Sequence, residues 1–328
     1  MREAAHYEKL EGGKVHCHLC PHQCVIADGR VGRCRVRRNQ GGVLYSEIYE
    51  RVTSIAMDPI EKKPLYHFHP GSSILSIGTR GCNFACEFCQ NWAISQADAA
   101  TSLLTSQQAV QAAQREASIG IAYTYNEPFI WFEYVLETAK LAREAGLVNV
   151  LVSNGFVSPE PLEELLPYVD AINMDIKAIR PEFYTKLCHG TLAPVLANAR
   201  TASRRTHLEV TNLIIPGHND SEEEFEELGR WIAGELGPQI PTHLSAYFPR
   251  HRLEAPPTPV ETLERAYEVV SKHLWHVYLG NCHSAKGSDT RCHGCGATLI
   301  SRRGYATRIV GLKGSACAAC GTENYLVA

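Results

Sequence analysis

The stretch Gly81-Cys82-Asn83-Phe84-Ala85-Cys86-Glu87-Phe88-Cys89 follows a short β-prone run, Ser73 to Gly78, and spaces its cysteines C-x3-C-x2-C with an aromatic directly before the last. Three thiolates this close can ligate three corners of a cubic iron–sulfur cluster, whereas clusters of the electron-transfer kind use four cysteines. One iron then has no protein ligand, and an open metal position is where an exogenous molecule binds and reacts. A zinc knuckle would want a fourth ligand nearby, and the loop holds none. Phe88 can stack on a base or serve as ordinary core.

Around this loop the chain alternates between strand and helix signals. Strands are expected at Ser73–Gly78, Ile121–Tyr125, Val148–Ser153, Ala171–Ile176, Leu208–Ile214, His243–Phe248 and His276–Leu279. Helices are expected at Gln107–Ala117, at Pro128–Ala145 before the C-capping Gly146, from Ser158-Pro159, from Asp220 through Glu222 to Trp231, and over Val260–Lys272. Roughly six such units imply a parallel sheet with helices outside. The polar motifs follow several different strands at their C-terminal ends, which favours a barrel over an open doubly wound sheet with one switch point. The expected fold class is therefore α/β, a partial (β/α)6-type barrel spanning 66–285. It is flanked by a Cys-rich N-terminal metal-binding segment, 1–65, and a second Cys/Gly-rich module, 286–328.

The 328 residues are 45% hydrophobic, enough for one large core. A formal charge of −3 gives no electrostatic case for nucleic acid or an anionic membrane. No apolar run is long enough to span a bilayer, and the charged start, Met1 to Lys14, lacks a signal-peptide core. The chain reads as cytoplasmic. Of thirteen cysteines, twelve lie before residue 90 or after residue 281, so local metal sites explain them better than disulfides.

The cysteine loop resembles that of the radical S-adenosylmethionine (SAM) superfamily. The resemblance implies a 4Fe–4S cluster whose open iron is chelated by the cosubstrate's methionine amine and carboxylate. Reductive cleavage of the sulfonium would give a 5′-deoxyadenosyl radical that abstracts a substrate hydrogen. It also implies a low-potential electron donor such as a ferredoxin or flavodoxin. Tyr123-Thr124-Tyr125-Asn126-Glu127-Pro128 falls where relatives carry a Gly-Gly-Glu-Pro-like segment that binds the methionine ammonium. Asn126 and Glu127 match it, whereas Tyr125-Asn126 replaces two glycines, so the backbone approach must differ. The same residues also read as a helix-opening cap. Ser153-Asn154-Gly155 and Asn173-Met174-Asp175-Ile176-Lys177 resemble segments of glycyl-radical-enzyme activases that line ribose, carboxylate and substrate channel, although Asp175 and Lys177 could equally form an internal ion pair. Relatives place the fifth strand against adenine, which implicates Ile214 and Ile215. His218, Tyr247, Arg250 and His251 are weaker substrate candidates. Cys17-His18-Leu19-Cys20-Pro21-His22-Gln23-Cys24, Pro64 to Phe68 and Cys89-Gln90-Asn91 extend the likeness, over nearly the whole chain, to the radical enzyme of the AmmeMemoRadiSam system, whose substrate the likeness leaves unidentified.

Two further metal sites are expected. Cys17, Cys20, Cys24 and Cys34 could bind zinc or an auxiliary iron–sulfur cluster, with His16, His18 or His22 able to replace a thiolate. Cys292-His293-Gly294-Cys295-Gly296 and Cys317-Ala318-Ala319-Cys320-Gly321 are paired knuckles of a zinc-ribbon or rubredoxin-like site, for zinc or iron. Cys188 and Cys282 read as spare thiols. Three functions compete: a radical SAM enzyme of unidentified substrate, a glycyl-radical activase acting on a partner protein, and a non-catalytic zinc-binding adaptor. The low charge and the motifs on strand ends make the adaptor weakest.

Overall fold

The computed structural model describes residues 1–327; Ala328, the end of the expected C-terminal module, lies outside the described residues. Its centre is one eight-stranded sheet. Strand β1 (Ser54–Pro59) pairs antiparallel with β2 (Ser73–Gly78). From β2 the sheet continues in parallel and in chain order through β3 (Gly120–Tyr123), β4 (Val148–Ser153), β5 (Ala171–Asp175), β6 (His207–Ile214), β7 (Thr242–Ala246) and β8 (Val277–Gly280). A doubly wound sheet would reverse direction partway, and this one never does. β1 and β8 do not pair, so the barrel stays open between them.

Six helices cover the outside: α1 (Ser106–Arg115), α2 (Phe132–Glu144), α3 (Pro159–Leu165), α4 (Leu192–Ser203), α5 (Glu222–Glu235) and α6 (Val260–Val270). Local chemistry sets their starts. Thr105 caps α1, in a capping box with Gln108. Ser221 caps α5 by accepting from the Glu224 amide, which moves its start past Asp220. Gly146, at φ +73°, stops the chain after α2. Strand alternation divides the apolar residues between two faces. Ile121 and Leu151 face the helices. Ala122 and Val150 face inward, where Ile60, Leu65 and Phe68 plug one end of the barrel. Burying each such Leu, Ile or Phe side chain contributes about 1.5–3 kcal/mol.

The segment before β1, which shows little periodicity in sequence, forms two small antiparallel sheets, one of them Tyr7–Lys9, Val15–Cys17 and Val25–Ile26. Because β1 belongs to the central sheet, that sheet begins upstream of residue 66. At the other end, the hairpin Thr298–Arg303/Ala306–Ile309 carries the C-terminal knuckles. It docks on the loop between β1 and β2: Arg302 donates to the Tyr66 carbonyl at 2.6 Å, and Thr307 donates to Glu61 at 2.8 Å. The fully buried Glu209 on β6 accepts from the Tyr66 and His67 amides at 3.0 and 2.7 Å and from His243 at 2.7 Å. Burial opposes its charge, but His207 and His243 hold its carboxyl well below the usual range.

Candidate active site and metal centres

The cysteine loop leaves β2 through Gly81 (φ +90°), where a side chain would collide with the Cys34 carbonyl. Asn126 holds the loop: its side chain accepts from the Thr79 amide at 3.1 Å and donates to the Gly81 carbonyl at 2.8 Å. Cys82, Cys86 and Cys89 all line one cavity of about 1370 Å3 that runs into the barrel. Their sulfurs are not all within 4.8 Å of one another, which is wider than one tetrahedral ion sets its thiolates. Burial pushes the Cys82 and Cys89 thiols up, while the amides of Phe84 and Asn91 point at these sulfurs. Three thiols on one cavity, with amides aimed at two of the sulfurs, fit the ligand set of a three-thiolate cluster.

Along the adjacent strand ends, Tyr125 sits at φ +73°, in the left-handed region that glycine favours. The backbone thus makes here the turn a glycine would make, and the Tyr125 hydroxyl is tied to Asp58 at 2.6 Å. Glu127 is buried and accepts from the Phe129 amide (3.0 Å), Ser153 Oγ (2.9 Å) and the Asn154 amide (2.8 Å). Burial raises its pKa to about 7 despite those donors. It is both a cap and a wall of the cavity. Asn154 Nδ2 donates to Asn83 at 2.9 Å and points at Cys82 Sγ, 3.7 Å away. Asp175 and Lys177 pair at 2.8 Å and line the cavity beside Phe88. Burial works against the Lys177 charge, but Asp175 and the Cys86 thiol hold its pKa well above normal.

Other expectations need correction. Ile214 and Ile215 are fully buried and do not line the cavity; Thr211 and Leu213 of the same strand do. His218 is exposed on its loop and away from the cavity. Tyr247 is buried and bonded to the Leu253 carbonyl at 2.7 Å, Arg250 is exposed, and His251 stacks on Trp92 at 5.3 Å. Phe248 faces the cavity in their place. Cys188 is no remote thiol: it is fully buried and hydrogen bonds Cys86, which lowers the Cys86 pKa against burial. Cys282 lines the cavity. So do Tyr66, His243 and Arg302, which are not among the expected site residues; Tyr66 lies in the Pro64–Phe68 segment that carries the likeness, and His243 lies on β7, whose segment His243 to Arg250 reads in sequence as facing the substrate.

The terminal cysteines differ from one another. Cys292, Cys295, Cys317 and Cys320 lie within 4.8 Å of each other, with Cys292–Cys320 at 3.6 Å and Cys295–Cys317 at 3.7 Å. Gly296 and Gly321, both at φ +74°, close the two knuckles by donating to Cys292 and Cys317 carbonyls at 2.8 Å. This four-thiol set can hold one metal ion. Cys17, Cys20, Cys24 and Cys34 converge on a separate small cavity. None of the neighbouring histidines substitutes there: His16 and His18 turn to Glu8 at 3.2 and 3.4 Å, and His22 bonds the Asn83 carbonyl at 2.8 Å.

The radical SAM superfamily model matches residues 76–232. An uncharacterized protein of Methanocaldococcus jannaschii is 43% identical, with 98% of each chain covered. The (2S)-3-sulfopropanediol dehydratase activating enzyme of Klebsiella oxytoca is 29% identical over 38% of this chain and 39% of its own. In fold, the chain is similar to a radical SAM methyltransferase from Sphaerobacter thermophilus, with a TM-score of 0.50 at 19% identity, covering 66% of this chain and 68% of that one.

Proposed function

The chain belongs to the radical SAM superfamily of enzymes, and we propose that Cys82, Cys86 and Cys89 hold a 4Fe–4S cluster at which SAM is reductively cleaved. The observation that carries this reading is the opening of all three thiols, with Glu127, Asn154 and Asp175, onto one cavity. When bound, the reduced cluster supplies the electron that splits SAM into methionine and a 5′-deoxyadenosyl radical. The protein's own residues position and shield. Glu127 has a spare lone pair on Oε2 for the methionine ammonium and orients Ser153 and Asn154 for the rest of the cosubstrate. Asn126 fixes the loop, Phe88, Thr211 and Leu213 offer walls for adenine, and the Lys177–Asp175 pair sits beside the Cys86 thiol.

The substrate site is the remainder of the cavity, toward Tyr66, His243 and Arg302. Its volume exceeds the ~300–1,000 Å3 of an ordinary single-ligand pocket, which leaves room for a second molecule beside SAM. Hydrogen abstraction from a substrate held there is the proposed reaction. A second reading is favoured by the relatives named as activating enzymes: a glycyl radical placed on a partner protein. The C-terminal set is proposed to hold zinc or iron, the electron to come from a ferredoxin- or flavodoxin-like donor, and the protein to act in the cytoplasm; among the described residues no helix is long and apolar enough to cross a membrane. Anaerobic reconstitution, followed by dithionite and SAM, should yield 5′-deoxyadenosine. None from fully loaded protein would reject the reading. A glycyl signal by electron spin resonance on a co-purified partner would favour the activase.

A further inference from the structure

We propose that Cys17, Cys20, Cys24 and Cys34 hold a second iron–sulfur cluster that passes single electrons to the centre at Cys82, Cys86 and Cys89. The relay role rests on the reading of that centre given above; the second cluster itself does not.

The contrast between the two four-cysteine sets carries the argument. A tetrahedral ion about 2.3 Å from each thiolate sets the sulfurs about 3.8 Å apart. The C-terminal set meets this, at 3.6 and 3.7 Å. In the N-terminal set no three sulfurs lie within 4.8 Å of one another, yet all four thiols face the same small cavity, walled by Leu19, Ile26 and Ile130. Four converging thiols spread wider than one ion allows suit several irons bridged by sulfide.

The surroundings also suit a cluster. The amides of His22, Arg33, Val36 and Arg37 point at the sulfurs of Cys20, Cys24 and Cys34. Such N–H···S bonds stabilise the negative charge of a thiolate-bound cluster and tune its potential. The fully buried Arg37 lines the same cavity. It pairs with Glu133 and donates to the Ala5 carbonyl at 3.0 Å; its Nη1 also lies 3.7 Å from Cys17 Sγ, and its Nε has no hydrogen-bond partner among the described residues. A buried guanidinium N–H without an acceptor costs free energy, and the Cys17 sulfur lies within reach of the same head group.

Position assigns the role. His22, between Cys20 and Cys24, bonds the carbonyl of Asn83, between Cys82 and Cys86. Gly81 packs on the Cys34 carbonyl, and Ile130 touches both sites. One electron enters from a low-potential one-electron carrier protein and one leaves to the Cys82–Cys89 centre. The second cluster is reduced and reoxidised in turn, and no bond forms or breaks at it.

The test uses full-length protein with Cys82, Cys86 and Cys89 all replaced by alanine, reconstituted anaerobically, with circular dichroism to verify folding. Expected is acid-labile sulfide with about two or four iron beyond any ion in the C-terminal set, and a paramagnetic signal on reduction. Folded protein with one metal ion and no sulfide, or with no metal, in the N-terminal set overturns the cluster. In the complementary Cys20→Ser/Cys24→Ser variant, acid-labile sulfide per chain should fall by the amount the triple variant retained. Dithionite-driven 5′-deoxyadenosine should persist while turnover from a reduced carrier protein falls at least tenfold. Unchanged carrier-driven turnover overturns the relay. Failure of the proposed function looks different: the wild type would make no 5′-deoxyadenosine while the triple variant still held iron and sulfide.

Discussion

Replacing Glu127 by glutamine separates its structural role from its binding role. The buried carboxylate accepts three hydrogen bonds, from Phe129 N, Ser153 Oγ and Asn154 N. Glutamine retains one oxygen, which can still serve Phe129 and Ser153, but sets an NH2 against the Asn154 amide. The orphaned Asn154 donor should cost about 1–3 kcal/mol of stability. The pH dependence has a definite sign. Because burial raises the folded pKa from 4.5 to about 7, this group's stability contribution is fully present below pH 4.5 and lost as pH rises through 7. The loss is about 3 kcal/mol at 1.36 kcal/mol per unit. In Glu127→Gln that slope should vanish, so the variant's deficit should be largest near pH 4.5 and shrink toward pH 8. Loss of the ammonium partner should weaken SAM binding about 10- to 100-fold, from 1.4–2.8 kcal/mol, with the cluster still loaded. Urea unfolding across pH, titration calorimetry with SAM and the visible cluster band read the three effects. Unchanged SAM affinity would remove Glu127 from the site; an unchanged pH slope would refute the argument about its buried charge.

Other expectations are simpler. Cys86→Ala should abolish loading of the first cluster and SAM cleavage, read by iron content and product. Cys188→Ala should leave that cluster loaded and cost only a small cavity, about 1–2 kcal/mol in denaturant midpoint, whereas loss of iron would make Cys188 a ligand. Glu209→Ala leaves His243 and two backbone amides without their acceptor and should cost about 3–5 kcal/mol, seen in thermal unfolding. Cys295→Ala should release the C-terminal metal and lower the melting temperature more than it lowers dithionite-driven 5′-deoxyadenosine; the reverse pattern would make that site a redox relay.

Much of this is legible in the chain because it is local. Ser73–Gly78 and Val148–Ser153 match their strands at both ends, since β-branched runs and flanking turns sit within a few residues of each other. The two knuckles carry their own turn glycines. What the sequence hides is long-range or ambiguous in phase. α4, Leu192–Ser203, has a proline in its first turn and a weak apolar stripe. β1 lies inside a cysteine-rich segment and carries Asp58 and Pro59, so it does not read as a core strand. Along β6 the period of two is plain, but nothing local says which phase faces inward, and the choice of Ile214 and Ile215 over Thr211 and Leu213 followed from the place relatives give this strand together with apolarity. Arg302 reaches the cavity only because the C-terminal hairpin docks on a loop more than two hundred residues earlier.

The central claim is an iron in the Cys82–Cys89 cluster that binds SAM directly. Electron spin resonance of the reduced protein with SAM labelled by 15N at the methionine amine tests it. The account predicts a hyperfine coupling from that nitrogen, lost in Cys86→Ala. A loaded, reduced cluster whose spectrum is indifferent to SAM would contradict it.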